Sequence, residues 1–133
     1  MPSLLSYGAV LISIVALDLL WLGVVMKDFY RAKLGHLMGD TVVWGAAILF
    51  YLIFAAGIMY FAVTPAVAAA SFARAFLLGA ALGFLAYATY DLTNHATLRD
   101  WPIMVTVLDI IWGAFLSGIV ASVGFFVAKI FTP

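Results

Sequence analysis

The sequence predicts an all-α membrane protein, a bundle of four transmembrane helices with a short interfacial helix between helices one and two. Of the 133 residues, 68% are hydrophobic and 9% are charged, whereas soluble domains average about 45–50% and about 25%. Four apolar stretches, at about 3–26, 41–63, 71–90 and 102–131, reach the roughly 20 residues that a helix needs to cross a bilayer.

These stretches use nearly the whole chain, so residues 1–133 are expected to form a single transmembrane domain. The first stretch is interpreted as helix one rather than a cleaved signal peptide. No lysine or arginine precedes it, and its apolar run is longer than a usual signal core. The connections are short, which makes successive helices antiparallel neighbours.

The longest connection, residues 27–40, mixes basic and aromatic side chains in the way of a short interfacial helix. The second connection, TPAVAAAS, carries no charge. Helix four is expected to begin at Pro102, because the missing N–H of proline is harmless in the first turn of a helix. Asp100 or Trp101 is expected to cap this helix or to anchor it at the interface.

The basic residues predict the orientation in the membrane. The face with the first and third connections carries Lys27, Arg31, Lys33 and Arg99, and the face with both termini carries only Arg74 and Lys129. Cytoplasmic loops are enriched in lysine and arginine. The first and third connections are therefore expected in the cytoplasm, and both termini outside it.

Composition excludes several classes of function. The six basic and six acidic residues cancel, and there is no basic run that would bind a nucleic-acid backbone. Without cysteine there is no disulfide, thiolate nucleophile or thiolate metal site. The chain has no phosphate-binding loop, GxSxG elbow, HExxH pair or histidine ladder for a haem, and we predict no cofactor.

All six aspartates and both histidines fall on the side of the first and third connections. Helical rise places Asp18 of helix one about 12 Å from that face and Asp109 of helix four about 10 Å from it. A carboxyl at this depth is costly unless paired or protonated, and is therefore a candidate for function. The structural alternative is that the two bond to one another, to the indoles of Trp21 or Trp112, or to a loop arginine, and so lock the helices together.

The string YDLTNHATLRDWP contains a third polar cluster. If helix three continues past Asp91, then Asp91, Asn94 and His95 share one face, with Tyr87 one turn below. Aspartate and histidine there form a general acid/base pair or supply two metal ligands. The ligand set is incomplete, so no metal is predicted; the structural alternative is that these residues cap the helix end.

Aromatic residues lie near the same polar layer and are candidates for the walls of a pocket: Trp21, Tyr90, Trp101 and Trp112. Because helices one and four run in opposite directions, Trp21 is expected shallower than Asp18 and Trp112 deeper than Asp109, which places the two indoles in different layers. Small residues at four-residue spacing predict close helix packing: Ala75, Gly79 and Gly83; Gly113, Ser117 and Ala121; and Ala114, Gly118 and Ser122.

Four strings together give the sequence a family resemblance: YDLTNHATLRDWP, VLDIIWG, ALDLLWLG and KDFYRAKLG. With them the chain resembles, over essentially its whole length, a bacterial membrane-protein family known as domain of unknown function 2177. The resemblance implies a small polytopic protein of the bacterial inner (cytoplasmic) membrane. It implies no reaction, substrate or cofactor.

Three classes of function remain open. The first is a polar pocket at the cytoplasmic interface that binds or modifies a lipid or other hydrophobic small molecule. In it, Asp91 and His95 would exchange protons with the substrate and Asp18 and Asp109 would orient its polar group. Its other expected contacts are Asn94, Trp21, Trp112, Tyr87 and Tyr90. The alternatives are a small proton-coupled transporter and an accessory or structural subunit, with a homodimer or a larger membrane partner possible.

Overall fold

A computed structural model describes residues 4–131 of the chain. Residues 1–3 and 132–133, which the predicted domain includes, lie outside the described range. Five helices lie within it, which we number α1 (Leu4–Val25), α2 (Lys27–Leu34), α3 (Trp44–Ala68), α4 (Phe72–Thr97) and α5 (Ile103–Phe131), and a short 3₁₀ helix, Gly35–Leu37, follows α2. All but α2 are long and apolar enough to cross a membrane. The predicted fold class is therefore confirmed, with no strand among the described residues.

Two of the long helices contain a π-helical turn, in which the helix is locally wider. In α1 this turn covers Trp21–Val25, directly before the connection to α2. In α3 it covers Met59–Val63 and precedes Pro65. Proline cannot donate a backbone hydrogen bond to the preceding turn, and the helix nevertheless continues to Ala68.

Helix α4 runs to Thr97, past the end predicted at residue 90. Asp91, Asn94 and His95 are therefore all helical. The chain then turns through Asp100, whose φ is 56°, a left-handed conformation that aspartate tolerates better than most residues. Of the two residues expected to cap or anchor the next helix, Trp101 anchors it, because its indole N–H donates to the hydroxyl of Thr106 in α5 at 2.9 Å.

Helix α5 is the centre of the bundle and packs against α1, α3 and α4. The main apolar core lies along it and includes Val10 and Ile14 of α1, Ile58 of α3 and Leu116 and Val120 of α5, all fully buried. A second, smaller cluster joins Tyr30 of α2 to Trp101 and Val105. This cluster shows that the first and third connections lie at the same end of the bundle.

The closest packing in the fold is between α4 and α5, along the predicted small residues. A Cβ atom on Gly79 would lie 2.6 Å from both the Cβ of Ala121 and the carbonyl oxygen of Ser117. A Cβ on Gly83 would overlap the carbonyl oxygen of Gly113. Gly118, on the neighbouring stripe, faces the ring of Phe76 in α4. The small residues are therefore confirmed as packing positions within the bundle.

We expect Gly83→Ala to lower the thermal unfolding midpoint of the protein in detergent. The added methyl group overlaps the backbone of α5, and overpacking of this kind costs about 1–3 kcal/mol. The matched control is Gly57→Ala in α3, where no atom lies within 4 Å of the added Cβ. There alanine is the better helix former, so the midpoint should hold or rise. Equal midpoints for the two variants would contradict the close approach of α4 and α5.

Candidate functional site

Two adjoining clefts open at the end of the bundle that carries the first and third connections. One, of about 260 Å³, is lined by Phe50 of α3, by Ala86, Tyr87 and Tyr90 of α4, and by Asp109 of α5. The other, of about 230 Å³, is lined by Asp18, Trp21, Leu22, Tyr30, Leu34, Met38, Tyr87, Tyr90, Asp109 and Trp112. Because Tyr87, Tyr90 and Asp109 line both, we call the first the outer cleft and the second the inner cleft of one candidate site.

Asp18 is buried in α1 and both of its carboxylate oxygens are hydrogen-bonded. The indole N–H of Trp112 in α5 donates to Oδ1 at 3.0 Å, and the hydroxyl of Tyr51 in α3 donates to Oδ2. Only 6% of the residue is exposed. The predicted bond between Asp18 and Trp112 is confirmed, and Asp18 joins three helices through side chains that satisfy its acceptors.

Asp109 of α5 lies at the end of a short chain of hydrogen bonds. The hydroxyl of Tyr30 in α2 donates to Asp109 Oδ1 at 2.6 Å, and the indole N–H of Trp21 donates to that hydroxyl at 3.1 Å. Burial, and then the hydrogen bond to Asp109, raise the pKa of Tyr30 above its ordinary value. Tyr30 therefore remains protonated and acts as the donor that fixes α2 over the inner cleft.

Asp91 of α4 differs from the other two acids because it has no donor. It is fully buried, and neither carboxyl oxygen accepts a hydrogen bond from any residue in the described range 4–131. Its neighbour is the carboxyl of Asp109 on α5. Two facing carboxyls repel when both are ionised and attract when they share a proton. The acid that pairs with Asp109 is thus Asp91 rather than Asp18.

The indoles of Trp21 and Trp112 stack face to face, with ring centroids 4.3 Å apart and planes 5° from parallel. The expectation that they occupy different layers is wrong. Helical side chains lean toward the N-terminus of their own helix. In the antiparallel α1 and α5 this tilt moves Trp21 deeper and Trp112 shallower, so that the two rings meet and form one wall of the inner cleft.

The predicted aromatic contacts Tyr87 and Tyr90 line both clefts. The ring of Tyr87 lies over Gly113, where a Cβ atom would collide with it. The ring of Tyr90 packs edge-on against Trp101, with centroids 6.0 Å apart. These contacts hold both tyrosines at the border between the two clefts.

Three predicted site residues line neither cleft: Asp91, which is fully buried next to Asp109, and Asn94 and His95. His95 is exposed and lies with Leu92, Ile103 and Thr106 in a separate groove between α4 and α5. No ion pair joins it to Asp91 among residues 4–131. The reason is geometric, since four residues along a helix turn the side chain about 40° and carry it about 6 Å toward the membrane face. The predicted Asp91 and His95 acid/base pair is not formed.

Three residues of the site were not among the predicted contacts: Tyr30, Tyr51 and Phe50. Helical rise alone would have found Tyr51. It lies seven residues after Trp44, the first residue of α3, which places it about 10 Å from the face toward which Asp18 also lies. For Tyr30 the only sequence signal is its position in a short amphipathic helix. Within residues 4–131 no three histidine or aspartate side chains lie close enough together to hold a metal ion.

Four apolar helices around a cleft lined by acids and aromatic rings define a polytopic membrane protein with a candidate ligand site near one end of the bundle. The chain belongs to the family described as Predicted membrane protein (DUF2177), whose family model matches residues 3–126. This confirms the resemblance found in the sequence. No curated protein and no solved structure matches the chain.

We expect Asp18→Ala to destabilise the fold more than Tyr51→Phe does. The first change leaves the buried Trp112 N–H and Tyr51 O–H without an acceptor, at about 1–3 kcal/mol for each. The second leaves the bond from Trp112 to Asp18 in place. The check is the free energy of unfolding in mixed micelles, with Tyr60→Phe as control because Tyr60 is 72% exposed. The reverse order would contradict the structural role of Asp18.

Proposed function

We propose that this protein binds a lipid or another hydrophobic small molecule by its polar group, in the two clefts near one face of the membrane. The observation that carries the proposal is the position of Asp109, a carboxyl deep in an apolar bundle that lines both clefts. Ionisable groups inside a membrane segment are costly and mark ligand or proton sites.

Apart from the residues that they share, the two clefts have different walls. In the outer cleft the side chains of Phe50 and Ala86 are apolar. In the inner cleft the carboxyls of Asp18 and Asp109 lie beside the stacked indoles. A ligand would place its apolar chain in the outer cleft and its polar group at Asp109. Ligand sites commonly combine a few polar groups with an otherwise apolar wall.

The packing of α3 provides a route from the lipid to Asp109. Helix α4 packs against Met59–Val63 of α3 but diverges from its first part, Trp44–Ile58. The gap between the diverging helices is the outer cleft. A hydrophobic molecule would therefore enter sideways from the bilayer without crossing water.

Binding at one face is favoured over transfer across the membrane. Within the described range, the charged side chains of α1, α3, α4 and α5 that lie toward the opposite end are Arg74 and Lys129, both exposed. A transport route needs polar groups in both halves of the membrane. A purely structural polar layer is also disfavoured, because its carboxyls would be fully paired, as Asp18 is and Asp91 is not.

In this proposal Asp109 holds the polar group of the ligand, with Asp91 buried next to it, while Trp21, Trp112 and Tyr90 form the walls. Asp18 serves mainly to keep Trp112 in place. We assign no role to His95, because its side chain lies outside both clefts. The proposal is one of binding and includes no reaction.

Native mass spectrometry of the protein purified in mild detergent tests the proposal. We expect wild type to release a defined small molecule or lipid in a fixed ratio, and Ala86→Phe to lose it because the new ring fills the outer cleft. The control is Ala81→Phe, on the exposed face of the same helix, which should retain the molecule. Equal thermal unfolding midpoints show that both variants are folded. Bulk lipid in random proportion from all three proteins would contradict the proposal.

We also place the clefts at the cytoplasmic face of a bacterial inner membrane. The support is the charge distribution, since Lys27, Arg31, Lys33 and Arg99 are exposed at the cleft end of the bundle and cytoplasmic loops are rich in such residues. These side chains also suit contact with anionic headgroups.

The absence of cysteine allows a clean test of sidedness. We expect Ala69→Cys, in the exposed turn between α3 and α4, to react with a membrane-impermeant maleimide in intact bacterial cells. Gly39→Cys, exposed between α2 and α3, should react only after the membrane is permeabilised. The opposite pattern would place the clefts outside the cytoplasm, and equal labelling would contradict the four-span topology.

A further inference from the structure

We propose that the polar group recognised by this site is an organic cation, an amine or quaternary ammonium group carried on an apolar chain, and that it displaces a proton from the facing carboxyls Asp91 and Asp109. This inference rests on the proposed function and names its ligand class. Three independent features of the described residues support it: the charge of the clefts, the unpartnered Asp91, and the aromatic walls.

The acidic side chains of the site are not neutralised by basic side chains. Asp18, Asp91 and Asp109 lie in or beside the inner cleft, while all six lysines and arginines are exposed. Among residues 4–131 no lysine, arginine or histidine forms an ion pair with any of these carboxyls. A phosphate or carboxylate group would face three acids with no basic partner, a costly arrangement in a poorly hydrated site. A cation would be attracted there.

The hydrogen-bond partners of the three carboxyls also favour a cationic ligand. Asp18 is satisfied by Trp112 and Tyr51, and Asp109 accepts from Tyr30. Asp91, fully buried and with no donor in the described range, faces Asp109. A cationic group next to this pair would neutralise the carboxyl that receives no hydrogen bond from the protein. A buried charge needs such a partner.

The aromatic walls favour a cation over a neutral donor. The stacked Trp21 and Trp112 and the rings of Tyr87 and Tyr90 surround the position of Asp109 in the inner cleft. The faces of aromatic rings attract cations, and tryptophan does so most strongly. Carboxylates together with aromatic rings are the combination that recognises ammonium groups.

Binding of a cation would be coupled to release of a proton. A cation next to two facing carboxyls favours their ionised forms, so a proton held between them would be released when it binds. When the cation enters, the proton leaves to water and the charge of the site, ligand included, is unchanged. The other titratable groups around the pair are Asp18 of α1, Tyr30 of α2, Tyr51 of α3 and Tyr87 and Tyr90 of α4. Of these tyrosines, Tyr30 donates its hydroxyl to Asp109 and Tyr51 donates to Asp18.

Isothermal titration calorimetry in a non-ionic detergent tests the inference with hexyltrimethylammonium and hexanesulfonate, which have the same chain and opposite charge. We expect the cation to bind at least tenfold more tightly than the anion. Titration in two buffers of different ionisation enthalpy should show release of about one proton for each cation bound. The affinity for the cation should then rise with pH, by up to about tenfold per pH unit.

The diagnostic variant is Asp91→Asn, which keeps the shape of the side chain and removes its titration. We expect the proton release to disappear and the affinity for the cation to fall by tenfold or more. Asp109→Asn is a second variant with the same expected result, in case the first does not fold. The matched control is Asp28→Asn, an exposed aspartate at the same end of the bundle, which should behave as wild type.

The inference is overturned if hexanesulfonate binds as tightly as the cation, if neither binds, or if Asp91→Asn and Asp109→Asn both keep affinity and proton release. The proposed function is judged separately by retention of a co-purified molecule in wild type and its loss in Ala86→Phe. Retention with no preference for the cation would keep the proposed function and reject the cation. Failure of both experiments would reject both.

Discussion

The close approach of α4 and α5 is the constraint on which the rest of the structure depends. The backbones of Gly83 and Gly113 are in contact. Membrane helices associate through close van der Waals packing of this kind, because lipid leaves no hydrophobic driving force between them. From that contact, two turns along α4 lead to Asp91 and one turn back along α5 leads to Asp109. Because the helices are antiparallel, both steps run toward the same end of the bundle, and the two carboxyls face each other.

The three buried carboxyls divide into two kinds. Asp18 has donors from α3 and α5 for both oxygens, so removing it would strand its partners. Asp91 has no donor in the described range, and a fold selected only for stability gains nothing from such a group. The same end of the bundle therefore contains one acid whose two oxygens both accept hydrogen bonds, and a pair of which Asp109 accepts from Tyr30 while Asp91 has no donor among residues 4–131.

The outer surface of the bundle is apolar, as expected for a protein surrounded by lipid. Large apolar side chains are exposed along all four long helices, which is expected where lipid is the solvent. In that setting the outer cleft lies between the diverging parts of α3 and α4, and α2 contributes Tyr30 and Leu34 to the inner cleft.

The sequence by itself determined the four spans, the interfacial helix, the packing stripes and the polar end of the bundle, since length, hydropathy and helical rise are local properties. It also placed Asp18 and Asp109 in one layer and identified six residues that line the clefts: Asp18, Trp21, Tyr87, Tyr90, Asp109 and Trp112. Only the tertiary structure decided which side chains pair. The bond of Asp18 to Tyr51, the facing of Asp91 and Asp109 and the stacking of Trp21 on Trp112 depend on the rotation of each helix about its axis and on side-chain tilt. His95 lies outside the site because, one turn beyond Asp91, it lines a separate groove between α4 and α5.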